Sequence, residues 1–140
     1  MGKTRTFIGG ILLGVLLLIP SLCHAQVLTG NLGGRAVELQ GVAPDAGGWA
    51  TGFSVYVEGS LAATLQCQIK TLETNSHVCS DPNKPEPDAP TSSAYTFNII
   101  FSVDNVEYLC MTSLDMPVCI GKTAEGNWPD PSSAMPLSNW

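Results

Sequence analysis

Cys67, Cys79, Cys110 and Cys119 constrain this chain more than any other feature of it. A fifth cysteine, Cys23, falls within residues 1–25, which read as a signal peptide. Lys3 and Arg5 precede an apolar run from Phe7 to Pro20, and Cys23-His24-Ala25 ends on a small residue suited to a signal peptidase. The run is shorter than the roughly 20 residues a membrane-spanning helix needs and holds Gly9, Gly10 and Gly14. Cleavage is therefore expected, with no stable membrane insertion afterwards. The cysteines that remain are even in number and sit in an exported chain, which favours two disulfides over free thiols. Three connectivities are open. Sequence neighbours, Cys67 with Cys79 and Cys110 with Cys119, are the simplest, each closing a short loop worth on the order of 3 kcal/mol. No Cys-x-x-Cys occurs, so neither a redox motif nor a paired zinc knuckle is supported.

Residues 26–140 are expected to form one secreted β-domain, long enough to bury roughly two-thirds of its unfolded surface. Arg35, Lys70, Lys84 and Lys122 stand against all twelve acidic residues, a formal charge of −8. Nucleic acid and anionic lipid are poor partners for that balance, since both require a basic face.

Short strands punctuated by turn residues run through this region. Val37, Leu39 and Gly41 alternate with Glu38, Gln40 and Val42 over 36–42, and Pro44-Asp45-Ala46-Gly47-Gly48 ends that stretch. From Trp49 to Val57, Phe53, Val55 and Val57 alternate with Ser54 and Tyr56. The segment 61–72 fits two readings. As a strand, Leu61, Ala63, Leu65, Cys67 and Ile69 face inward; as a helix, Leu61, Leu65, Ile69 and Leu72 share one side, capped by Ser60. The strand separates apolar from polar residues more cleanly and buries the cysteine. A three-residue loop before it would set Val57 opposite Leu61, Val55 opposite Ala63 and Phe53 opposite Leu65, keeping one apolar face.

Residues 71–93 read as a connection, an acidic loop with four prolines between Asp81 and Pro90. The stretch 97–121 reads as a three-strand meander. Asp104-Asn105 make a two-residue turn that pairs Val103 with Val106, Phe101 with Tyr108, Ile99 with Cys110 and Phe97 with Thr112. A corner at Leu114-Asp115 then brings Cys119 across from Cys110, and Pro117 marks an edge strand. The outward row, Asn98, Ile100 and Ser102 with Met111, Leu109 and Glu107, is mixed, which implies cover on both sides. The tail 122–140 is too rich in proline for an element of any length, and its tryptophans suggest docking.

Candidate sites are few. His77, with Ser76 and Asp81 nearby in sequence, lacks the separated segments from which a Ser-His-Asp triad is assembled, and reads as a loop histidine beside a disulfide. Asp81, Glu86 and Asp88 offer oxygens to Ca²⁺, but prolines stand between them and no glycine supplies a sharp turn. Met111, Met116 and Met135 with His77 are soft donors for Cu(I) without the clustering a copper site shows. No cofactor or metal is assigned. Trp49, Tyr56, Trp128 and Trp140 are candidates for an aromatic binding surface, against their commoner use as packing.

The expected fold is mainly β, a small antiparallel sandwich or open barrel of about six to eight strands with two disulfides; the alternative is α+β with a helix at 61–72. The expected function is a non-catalytic binding or structural module of the envelope or extracellular space, secreted or periplasmic, with a protein or glycan ligand. The alternative is a periplasmic copper or calcium carrier, or a small secreted enzyme or inhibitor, using the 75–88 loop.

Overall fold

The computed structural model describes residues 27–71, 73, 75–85, 87–112, 118–130, 135–136 and 138–139. Residues 1–26, Glu86, the expected Leu114-Asp115 corner with Met116 and Pro117, and Trp140 lie outside these. The described chain is all strand: β1 (Val27–Leu32), β2 (Arg35–Val42), β3 (Gly52–Val57), β4 (Ser60–Thr71), β5 (Ser76–Ser80), β6 (Phe97–Val103), β7 (Val106–Thr112), β8 (Val118–Gly121), β9 (Met135–Pro136) and β10 (Ser138–Asn139). They form one sheet in the order β10-β1-β2-β3-β4-β5-β6-β7-β8-β9. Its eight longer strands curl into a half-barrel.

Three hairpin turns share one geometry. Gly33-Gly34, Glu58-Gly59 and Asp104-Asn105 all have positive φ at both positions, the two-residue turn whose twist matches that of the strands. In the meander, all seven pairings from Phe97↔Thr112 to Val103↔Val106 are as the sequence implies, and Cys110 lies opposite Cys119. The curl brings distant hairpins together, so that Arg35 Nε meets Asp104 Oδ2 at 3.0 Å across the mouth of the half-barrel.

The segment 61–72 is strand through Thr71, not helix, and Phe53↔Leu65 and Val55↔Ala63 hold. The loop before it is Glu58-Gly59, one residue shorter than expected, so Val57 pairs with Ser60. A register shift at Val55/Tyr56 absorbs the difference and sets Tyr56 opposite Leu61. Leu61 consequently turns outward and is 59% exposed. Ile69, at the far end of the same row, is also exposed, so only the middle of the expected inward row is core.

Other corrections concern non-local pairing. The glycine-rich start contains β1, whose Leu28 and Leu32 are buried. The connection 71–93 contains β5, paired antiparallel to β4 and parallel to β6. The sheet is therefore mixed, with one parallel step made by the irregular crossover 81–96. In the tail, β9 pairs with β8 and β10 with β1, so the last residues touch both edges of the sheet.

Inside the curl lies the main core, with Leu32, Leu39, Phe53, Val55, Leu65, Phe97 and Ile99 fully or almost fully buried. Phe97 is its hub, edge-on to Phe53 at 5.2 Å. On the convex side Ile100, Leu109, Met111 and Ile120 form a second cluster, covered by Tyr95, Ala89 and Trp128. Both faces of β6–β8 are thus buried, as the mixed outer row implied.

Candidate binding groove

The crossover 81–96 is the part of the fold that creates a concave surface, and three devices hold it down. The Cys67–Cys79 disulfide joins β4 to β5 directly across the ladder. Asn98, fully buried in β6, accepts from the Ser92 N–H at 2.8 Å. Its amide donates to the Ser92 carbonyl at 3.0 Å and the His77 carbonyl at 3.3 Å. Ser76, also buried, donates to the Tyr95 carbonyl at 2.8 Å. These bonds supply a returning chain with partners that no regular ladder provides, which is what a buried irregular segment requires. At its outer end Lys70 Nζ donates to Thr91 Oγ1 at 2.6 Å.

The loop so anchored stands off the sheet and leaves an open groove of about 470 Å³. One wall is the outward side of β4, with Gln66, Gln68 and Lys70. The other is the loop, with Asp81, Pro82, Lys84 and Pro87, and Val78 of β5 and Ile100 of β6 also line the groove. The loop wall begins with a turn that Asp81 organises: its Oδ1 accepts from the Asn83 N–H at 2.9 Å, and its carbonyl from the Lys84 N–H at 3.2 Å. The prolines restrict the backbone of this wall. Amides, ammonium groups and a carboxylate over an apolar base can orient a ligand.

The sequence candidates are dispersed. Trp49 is half-buried, set by an Asp45 turn in which Asp45 Oδ1 accepts from the Trp49 N–H at 3.0 Å, and it packs near Phe97 at 6.2 Å on the inner core. Tyr56 lies with Glu38 and Ala36 along a shallow depression on β1–β3. Trp128 covers the outer cluster, and its Nε1 donates to Asp88 Oδ1 at 3.2 Å. The three rings therefore sit in three places; Trp140 lies outside the described residues.

Asp88 is also bound by Lys122 at 3.3 Å, beneath which the Trp128 ring lies at 5.7 Å. The Trp128 hydrogen bond, then the Lys122 hydrogen bond and charge, hold the Asp88 carboxyl below its ordinary range. Asp81 and Asp88 thus have separate engagements, one in the groove and one against the tail. Among the described residues no three His, Cys, Asp or Glu side chains gather as a metal-binding group.

His77 is not a loop residue. It is buried in β5, its ring stacked on Phe97 at 5.0 Å and its Nδ1 3.3 Å from the Thr96 carbonyl oxygen. Met111 is outer-cluster filler; Met116 and the Met135 side chain lie outside the described residues.

Sequence reasoning missed Asn98 and the lysines. A lone amide within Phe97-Asn98-Ile99-Ile100-Phe101 was the available signal for a buried polar node. Nothing local marks Lys84 as facing Lys70 across a groove. No family model, curated protein or solved structure matches the chain.

Proposed function

We propose that the protein is an exported, non-catalytic binding module of the envelope or extracellular medium, and that its ligand, a segment of protein or glycan, lies in the groove between β4 and the crossover loop. The observation that carries this reading is how the groove is built. A disulfide and an Asn98–Ser92–Ser76 hydrogen-bond node hold both walls in place, and the groove lining presents polar groups above an apolar base. A largely preformed concavity with a few placed polar groups is the usual form of a binding site. Two disulfides suit an oxidising, extracytoplasmic compartment.

The test fills the groove. Gln68→Trp places an indole where the ligand would lie while leaving the hydrogen-bond node untouched. Amide exchange of the protein, with and without its native extracellular or envelope fraction, should show protection at 66–70 and 81–91 that this variant loses. Equal protection in the variant would overturn the groove. A catalytic turnover that collapses on replacing His77 or Asp81 would overturn the non-catalytic reading.

A further inference from the structure

Resting on the groove as the binding site, we infer that its occupant is an extended acidic polypeptide segment. Among the described residues the basic side chains are Arg35, Lys70, Lys84 and Lys122. Arg35 is paired with Asp104, and Lys122 with Asp88 and Glu107. Lys70 and Lys84 have no carboxylate partner among the described residues, and both line the same groove, one from each wall.

On a chain with this excess of acid, two ammonium groups against the one carboxylate of Asp81 give the described lining of the groove a local excess of positive charge. Lys70 gives one donor to Thr91 and keeps the rest of its ammonium for a ligand. Asp81, the carboxylate in the groove, already accepts the Asn83 N–H. Charge complementarity of this kind selects partners and speeds encounter more than it adds affinity.

The second observation selects a polypeptide. Gln66 and Gln68 are alternate residues of one strand, about 6.8 Å apart along the wall, and Lys70 follows them at the register shift between Ile69 and Thr71. Side chains on one face of an extended peptide repeat at the same interval. A segment lying along β4 with Glu or Asp at every second position meets an amide, an amide and an ammonium in turn, while Lys84 reaches it from the loop.

The experiment is an anisotropy titration of labelled decaglutamate against the intact, disulfide-bonded protein, beside decaglutamine and labelled polygalacturonate. Saturable binding of decaglutamate, absent for decaglutamine and weakened by added salt, is the expected result. Lys70→Met and Lys84→Met should each weaken it by up to about fivefold, the range of exposed ion pairs. Unchanged affinity in the double variant overturns the inference, and tighter binding of polygalacturonate overturns it in favour of an acidic glycan. If neither polyanion binds while Gln68→Trp still abolishes protection by the native fraction, the acidic assignment falls and the groove stands. If Gln68→Trp changes nothing, both fall.

Discussion

The meander β6–β8 and the β4–β5 hairpin with its crossover loop each carry one disulfide between directly opposed residues, yet they are built differently. In the meander, Cys110 and Cys119 are both fully buried, apolar residues cover both faces, and the β6–β7 register follows from a two-residue turn. In the other region Cys79 is buried while Cys67 is only partly so, the outer face is a groove, and the return path depends on Asn98 and Ser76 rather than on a ladder. Local pairing makes scaffold here. Non-local, side-chain-mediated docking makes the concave surface.

Phe97 joins the two regions, stacking on His77 of β5 while pairing with Thr112 of β7. Phe97→Ala should therefore produce the largest loss, about 4 kcal/mol in urea unfolding, as for buried aromatics generally. A loss below about 1 kcal/mol would mean that the regions do not share a core.

The disulfides sharpen the contrast. Replacing either pair with alanine should cost about 3 kcal/mol, but with different local consequences. Without Cys67–Cys79, proteolysis should cut the 81–91 loop below the global unfolding transition. Without Cys110–Cys119, cleavage should follow global unfolding. Identical cleavage patterns would erase the distinction.

Asn98→Ala leaves the Ser92 N–H without its partner and should cost about 2 kcal/mol, with amide exchange rising first at 89–96. If exchange rises first in β7 instead, the node belongs to the scaffold and not to the groove.

The smallest effect is at the exposed tail. Asp88 has a depressed folded-state pKa, so its contribution is complete above the ordinary value of 3.8 and lost as pH falls through the lower folded value. Trp128 emission should stay constant down to that region and change below it, and Asp88→Asn should remove the step. A transition centred well above 3.8 would contradict the geometry.

Much of the scaffold was legible because its information is local. Phe97 to Thr112 alternates around two residues that accept left-handed backbone, and one face must be buried, so only one register suits it. Leu61 marks where that logic stops: which side it faced depended on a bulge opposite Val55/Tyr56, which costs little and leaves no pattern of its own. β5 was hidden for another reason. Ser76-His77-Val78-Cys79-Ser80 has too few apolar residues to announce a strand, and it becomes one because it is sandwiched between β4 and β6.

By itself, the sequence determined the strand character of much of the chain, the meander register and the excess of acidic residues, and it made neighbour pairing the simplest of three cysteine connectivities; each rests on adjacent residues or on simple counting. Only the tertiary structure decided that β5 runs parallel to β6, that Asn98 holds the crossover, and that Lys70 and Lys84 face one groove from opposite walls. Those outcomes depend on where a proline-restricted loop lands after leaving the sheet. That is set by buried hydrogen bonds between residues up to 22 positions apart, for which short-range periodicity carries no signal.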